Sequence, residues 1–142
     1  MNRKVFFIPL LASFLFFIAY LLLAQTGNFL SVEPGYSIND VSRWCERISG
    51  GYFREPSNAL SNIGFITTGL IMFWILSRES RSKSRFHGAS PTAIIFATAA
   101  LFLGPGSLLM HGTHTAWGQW ADWLSMITVS YTHLTLPTNA CV

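Results

Sequence analysis

Long apolar segments separated by short polar ones make up most of the sequence. Three of the apolar segments, residues 5–24, 57–77 and 91–110, each contain roughly 20 residues. A helix of about 20 apolar residues is long enough to cross the hydrocarbon core of a bilayer. A fourth segment, residues 117–129, begins with the same character and stops after 13 residues. The pattern predicts an all-α membrane protein with three to four transmembrane helices.

The first apolar segment has two interpretations. The basic sequence "NRK" before it and Ala24 at its end are typical of a cleaved signal peptide. However, its apolar run of 20 residues exceeds the usual signal core of roughly 7–15 residues, and Leu22 suits a cleavage site poorly. We therefore favour a retained signal anchor and assign residues 1–30 to an N-terminal transmembrane helix.

The charged residues, 11% of the chain, are divided by position. The N-terminal "MNRK" and the loop 78–88 are basic, whereas residues 25–56 mix both signs. A formal charge of +3 distributed in this way indicates membrane topology and not nucleic-acid binding. Because basic loops remain in the cytoplasm, we expect the N-terminus and the 78–90 loop inside. Residues 25–56 and 111–116 then share the outer face.

Prolines and glycines predict where the helices begin and how they pack. Pro56 and Pro91 suit the first turn of helices two and three, because the N–H that proline lacks is not needed there. The sequence "GPG" at 104–106 predicts a kink and close helix contacts in helix three. The connector 25–56 contains Gly, Ser and Asn and predicts a loop.

The C-terminal sequence "SYTHLTLPTNACV" differs in character from the rest. It is rich in threonine, contains Pro137 and loses the apolar run, so we expect that it does not continue helix four. It also resembles translated adapter sequence at the ends of reading frames. We therefore expect residues 40–128 to form a partial natural domain, truncated near Thr128, and residues 129–142 to be a non-native tail.

Ser107, His111 and Asp122 are the first polar residues that suggest chemistry. Ser107 and His111 are four residues apart and share one helix face. Asp122 lies in the next, antiparallel helix after a short turn, so we expect all three to converge at one membrane boundary. Ionisable residues in transmembrane segments are functional candidates by default.

Two chemistries fit these three residues, and a structural role is the alternative. In a metal site, His111 binds Zn²⁺ while Asp122 and Ser107 orient or deprotonate its bound water. In a nucleophilic site, Ser107 attacks, His111 is the base and Asp122 orients the base. In the structural alternative, His111 only forms a hydrogen bond between helices.

The other polar residues nearby have less specific interpretations. His114 lies in the turn after His111, where we expect a solvated side chain, although the spacing in "HGTH" also permits metal chelation. Glu46 and Glu55 lie just before helix two, and carboxylates suit Ca²⁺. Composition alone favours solvated acidic residues there. The two cysteines predict no disulfide.

Four motifs in a fixed order carry a resemblance to a known family. They are "WCE" at 44–46, "EPSNALSNIGF" at 55–65, "GSLLMH" at 106–111 and the aspartate at 122. Together they resemble the alkaline ceramidase family over roughly residues 40 to 128. The resemblance implies the N-terminal helices of a seven-helix membrane hydrolase, in a superfamily that includes the adiponectin-type receptors.

The resemblance also implies metal ligands. It makes His111 a zinc ligand, with Ser107 and Asp122 beside the metal-bound water. It further implies a Ca²⁺ site formed by the Trp44 carbonyl, Glu46 and Glu55.

The sequence departs from the family pattern in several places. Arg43 and Ile48 stand where the eukaryotic enzymes carry an acidic residue and an asparagine, and helix one is an addition. The two histidines that complete the family's zinc site on its last helix are absent. Catalytic zinc usually has three protein ligands plus water. We therefore expect the 142-residue chain to hold no stoichiometric zinc and to hydrolyse no ceramide.

The leading hypothesis is the N-terminal portion of a zinc-dependent intramembrane hydrolase that acts on the amide bond of ceramide or a related lipid amide. Its expected partners are the lipid substrate and the membrane, without nucleic acid. The expected location is a bacterial inner membrane, with the site toward the outer face. The alternative is a non-catalytic receptor-like or scaffold protein of the same superfamily that keeps its metal for structure.

Overall fold

The computed structural model describes residues 3–27, 37–78 and 89–135. The predicted basic loop and the N-terminal part of the connector fall mainly on residues 79–88 and 28–36, which lie outside the described ranges. Within those ranges every element of regular secondary structure is a helix apart from one isolated bridge between Val41 and Arg47, and residues 37–55 form turns and loops. This confirms the predicted fold class. The helices are α1 (Arg3–Gln25), α2 (Pro56–Ser61), α3 (Ile63–Arg78), α4 (Pro91–Thr113) and α5 (Ala116–Thr135).

Three spans of the described chain are long and apolar enough to cross a membrane, as the hydrophobic pattern predicts. They are α1, the combined span Pro56–Arg78, and α4, each of 23 residues. The second span is divided at Asn62, where the N–H of Asn62 donates to the carbonyl of Ala59 and separates α2 from α3. The sequence did not predict this division.

Both predicted proline starts are confirmed. Pro56 and Pro91 lie in the first turns of α2 and α4. Ser90 caps α4, because its side-chain oxygen accepts a hydrogen bond from the N–H of Ala93 at 3.2 Å. The side chain of Glu55, the N-cap residue of α2, forms no capping hydrogen bond with that helix.

Glycines allow α4 to pack closely between α3 and α5. A Cβ atom added at Gly69 of α3 would lie 2.6 Å from the Cα of Leu101 in α4. A Cβ atom at Gly106 of α4 would lie 2.5 Å from the Ser125 hydroxyl oxygen in α5. Real Cβ atoms do not approach other heavy atoms so closely. The close helix contacts predicted from "GPG" are therefore present, and they make α4 the central helix.

α1 lies at the periphery of the bundle. Its only buried residues are Ser13 and Tyr20, whereas Phe14 and Leu15 are more than half exposed, at 62% and 54%. Near its C-terminal end, Tyr20 packs with Leu108 of α4. Most of the α1 surface is thus available to lipid tails.

The expectation that helix four ends before Ser130 is wrong. α5 runs from Ala116 to Thr135. The hydroxyl groups of Thr128 and Thr132 donate to carbonyls of the preceding turn, at 2.7 and 2.8 Å. Because these polar side chains are satisfied within the helix itself, a threonine-rich segment continues it. The rest of the tail, residues 136–142, lies outside the described ranges.

Candidate functional site

The site is centred on the buried carboxylate of Glu55, which meets two histidines from the end of α4. Glu55 has no exposed surface. Its Oε2 lies 2.5 Å from Nδ1 of His111 and accepts a hydrogen bond from the side-chain amide of Asn58 at 3.0 Å. Its Oε1 lies 2.9 Å from Nε2 of His114, a close ion-pair distance without the alignment of a hydrogen bond. We call these four residues the Glu55 cluster.

Backbone hydrogen bonds hold the Glu55 segment against α4. The N–H of Glu55 donates to the carbonyl of His111 at 2.9 Å, and the N–H of Arg54 donates to the carbonyl of Gly112 at 3.0 Å. Carbonyls in the last turn of a helix lack partners within the helix. The connector therefore completes the end of α4, and this arrangement brings Glu55 to a histidine 56 positions later in the sequence.

The expectation that His114 is solvated is wrong. The residue is only 9% exposed and contacts Glu55. It is the C-cap of α4 and adopts a left-handed backbone conformation with φ of 52°. Such a conformation is unfavourable for a residue other than glycine, and it turns the imidazole inward instead of letting the helix continue toward water.

The "WCE" motif forms a tight turn that covers His111. The N–H of Cys45 donates to the carbonyl of Ser42, and Cys45 has a positive φ of 64°. The turn places the Trp44 ring edge-on to the imidazole of His111, with 5.7 Å between the ring centres. The aromatic ring thus shields the histidine from one side, although 45% of Trp44 remains exposed.

Glu46 has a different role from Glu55 in this structure. Its two carboxylate oxygens accept hydrogen bonds from the N–H groups of Ser57 and Asn58, at 2.7 and 2.8 Å. A carboxylate at this position satisfies the free N–H groups of the first turn of α2 and complements the helix dipole. The two acidic residues predicted to bind Ca²⁺ are therefore occupied with different partners.

Ser107 and Asp122 lie on the two helices expected from the sequence. Ser107 is half-buried in α4, one turn before His111, and Asp122 is buried in α5 with 6% exposure. Within the described ranges, no hydrogen bond joins the Asp122 carboxylate to Ser107 or His111. The carboxylate on Nδ1 of His111 is that of Glu55. The structure therefore differs from the Ser–His–Asp arrangement in which Asp122 orients the histidine.

The electrostatic environment keeps Glu55 ionised. Burial by itself raises the pKa of its carboxyl group, but the polar contacts with His111, then His114, Ser42 and Asn58, outweigh burial and hold the pKa well below its ordinary value. A depressed pKa stabilises the fold above the ordinary value of about 4.5. That contribution is lost as the pH falls below this value and through the lower pKa of the folded state.

The described residues alone do not complete a metal site. Across residues 3–27, 37–78 and 89–135, no group of three or more His, Cys, Asp or Glu side chains is arranged to hold a metal ion. His111 suits a single zinc ligand, because a carboxylate on one ring nitrogen is the usual support for a histidine that binds metal through the other. The two carboxylates predicted to bind Ca²⁺ have protein partners here, Glu46 the N–H groups of α2 and Glu55 the ring nitrogen of His111.

An open cavity of about 300 Å³ is bordered by Arg54 and Gly112, the chain neighbours of Glu55 and His111. It is lined by the C-terminal end of α1, the glycine-rich part of the connector and the end of α4. Arg54, which is 2% exposed, contributes a positive charge to the lining. Gln25, Tyr52, Arg54 and Gly112 are among the residues that line it.

These features define a multi-pass helical membrane protein with a buried carboxylate–histidine site at the end of its central helix. The class can be stated more narrowly, since a family model described as Ceramidase matches residues 40–139. The chain therefore belongs to the ceramidase family, which confirms the resemblance. No curated protein and no solved structure matches the chain.

Proposed function

We propose that the chain is part of an enzyme that hydrolyses the amide bond of ceramide or a related lipid amide. Membership of the ceramidase family supports a ceramide-hydrolysing role in general. The observation that carries the site assignment is the pairing of buried Glu55 with His111, the last residue of the motif "GSLLMH". A buried charge is expensive in a membrane protein and is a functional candidate by default.

Three side chains of this chain take part in the proposed reaction. Water attacks the amide carbonyl carbon, and Asp122 accepts a proton from that water. The Ser107 hydroxyl donates a hydrogen bond to the carbonyl oxygen as negative charge develops there. The carbon–nitrogen bond then breaks, and the proton passes to the departing amine, which leaves a fatty acid and a free amine. His111 offers the ring nitrogen that Glu55 does not engage.

Zn²⁺ is the proposed cofactor, with His111 as one ligand and further ligands from outside the described residues. Bound zinc polarises a carbonyl and lowers the pKa of water. Ca²⁺ remains a second proposal, at the Trp44 carbonyl, Glu46 and Glu55. Calcium binding there would require both carboxylates to leave their present partners, so the structure gives this second proposal less support.

The proposed substrate reaches the site from the membrane. The cavity beside Arg54 is open and has room for a polar headgroup, while the exposed apolar faces of the helices suit the acyl chains. We place the chain in a bacterial inner membrane with this cavity toward the outer face, on the basis of the basic N-terminus and the 78–90 loop. A reporter fused after Arg85 should be cytoplasmic, and one fused after Gly35 extracytoplasmic. The reverse pattern would contradict the orientation.

Hydrolysis is tested in a full-length member of the family that has the same "GSLLMH" motif, with ceramide in phosphatidylcholine vesicles and fatty-acid release as the readout. Alanine in place of the serine and the histidine that match Ser107 and His111 should each lower the rate by about 10²-fold or more. A small effect of both substitutions would contradict the assigned roles.

The 142-residue chain itself is tested for substrate class. A photoactivatable ceramide should cross-link to the purified chain in vesicles, and unlabelled ceramide should compete better than a diacylglycerol of the same acyl length. Equal competition by both lipids would favour the non-catalytic alternative. Elemental analysis should find no stoichiometric zinc. One tightly bound zinc per chain that is lost in His111→Ala would contradict this expectation and make His114 a candidate ligand.

A further inference from the structure

We propose that Glu55 is a positioning residue that fixes opposite tautomers in two histidines, placing the proton of His111 on Nδ1 and the proton of His114 on Nε2. The role of Glu55 in positioning His111 for amide hydrolysis rests on the proposed function. The two tautomers are independent of that function, because they follow from the contacts within the Glu55 cluster.

The carboxylate of Glu55 determines which ring nitrogen of each histidine carries a proton. An ionised carboxylate only accepts hydrogen bonds, so a ring nitrogen that contacts it favourably must carry a proton. Nδ1 of His111 lies 2.5 Å from Oε2, and Nε2 of His114 lies 2.9 Å from Oε1. At these separations no water or ion fits between the atoms. A nitrogen lone pair facing either oxygen would be repelled.

Burial leaves Glu55 and His114 few alternative partners besides the Ser42 hydroxyl near the carboxylate. Glu55 is fully buried and His114 is nearly so. Asn58 already donates to Oε2, so this oxygen is an acceptor from two directions. The other atoms of the pair, Oε1 of Glu55 and Nε2 of His114, have no aligned hydrogen-bond partner in the described structure. The two atoms nevertheless lie 2.9 Å apart, and a proton on Nε2 makes this contact attractive where a lone pair would make it repulsive.

The consequence is that the two histidines become chemically different. With its proton on Nδ1, the neutral imidazole of His111 has its lone pair on Nε2, where it can bind a metal or accept a proton. His114 has its Nε2 directed to the carboxylate and keeps its lone pair on Nδ1. Histidines that support chemistry commonly have the second ring nitrogen fixed in this way by a carboxylate. His114 is then a second partner of Glu55, and only His111 presents Nε2.

The experiment measures the tautomers directly. The 142-residue chain is labelled with ¹⁵N-histidine in detergent micelles, in a background with His87→Gln and His133→Gln that leaves two histidine signals. Long-range ¹H–¹⁵N correlation spectra distinguish a protonated from an unprotonated ring nitrogen, and His114→Gln assigns the remaining signals. We expect the Nδ1–H form for His111 and the Nε2–H form for His114. An Nε2–H form for His111, an Nδ1–H form for His114, or a ring protonated on both nitrogens in either residue would overturn the proposal.

The isosteric variant Glu55→Gln gives a sharper test. Its amide oxygen should occupy the position of Oε2, because Asn58 and His111 both donate there, and its NH₂ group should face His114. The tautomer of His111 should then persist while that of His114 inverts to Nδ1–H. The matched control is Glu46→Gln, which changes a second carboxylate of the same connector that contacts only N–H groups of α2. The control should change neither tautomer.

These measurements separate the two proposals. If the tautomers are as expected and the family member loses no activity on substitution at the positions of Ser107 and His111, the proposed function is wrong and the role of Glu55 in the cluster stands. If Glu55→Gln leaves His114 unchanged, or if Glu46→Gln inverts either histidine, the assignment to Glu55 is wrong whatever the activity.

Discussion

α1 and α4 have the same length and both are apolar enough to span a bilayer, yet they have opposite roles. α1 buries two residues, whereas α4 buries nine, most of them Gly, Ala or Thr. In lipid, apolar side chains gain little by leaving the solvent, so helices associate where small residues permit close contact. Hydropathy therefore identifies both spans, and the distribution of small residues identifies the central one.

The largest expected effect is on the free energy of unfolding, and it compares one Leu→Ala substitution in α4 with one in α1. Leu108→Ala in α4 removes a side chain with 0% exposure and should lower the free energy of unfolding by about 2–5 kcal/mol, because a cavity remains. Leu15→Ala in α1 removes a side chain that is 54% exposed and should change it by less than about 0.5 kcal/mol. Unfolding in mixed micelles, followed by circular dichroism, measures both. Equal losses would show that α1 is packed as tightly as α4.

The next effect tests close packing around α4. Gly106→Ala places a Cβ atom 2.5 Å from the Ser125 hydroxyl oxygen and should destabilise the fold by about 1–3 kcal/mol. Gly64→Ala in α3 is the matched control, since nothing lies within 4 Å of the added atom. The control should stabilise the helix by up to about 1 kcal/mol. If both variants behave alike in the same unfolding assay, the α4–α5 contact is not limited by space.

A third prediction concerns Glu46, in the connector between α1 and α2. Glu46→Gln leaves one acceptor oxygen where two N–H groups now donate, and should cost about 1–2 kcal/mol of stability. The loss should be the same with and without added Ca²⁺. A loss seen only in the presence of Ca²⁺ would instead support the calcium site. In a full-length relative, Gln at both matching glutamates should weaken any calcium dependence of hydrolysis.

The smallest expected effect on stability concerns the hydrogen bond between α1 and the connector. The Tyr20 hydroxyl donates to the carbonyl of Tyr52 at 2.9 Å, and Tyr20→Phe should cost about 0.5–1 kcal/mol. Because the stacked contact of Tyr20 with Phe53 remains, the helix content should not change. A loss as large as that of Leu108→Ala would mean that α1 depends on this bond for its position.

The helical spans were predictable because they depend on local sequence. Roughly 20 apolar residues, an N-terminal proline and a capping serine each act within a few positions. The extension of α5 to Thr135 was missed for a local reason too. A threonine whose hydroxyl donates to a carbonyl of its own helix cannot be told from the sequence apart from a threonine that ends a helix.

The site was predictable only in part. Residue spacing and motif resemblance selected His111, Ser107 and Asp122, and the structure places them on the expected helices. The pairing of Glu55 with His111 joins residues 56 positions apart, and no periodicity reports a contact of that kind. His114 was interpreted from its place in a turn, whereas its backbone conformation directs it into the protein.

The two backbone hydrogen bonds between the connector and the end of α4 limit which sequences can form this site. The donors are main-chain N–H groups at positions 54 and 55, which every residue except proline has. Proline at either position removes the donor and frees a helix-end carbonyl from its partner. Natural variants of this segment should therefore exclude proline at both positions, which is a constraint on the main chain that applies whichever side chains stand there.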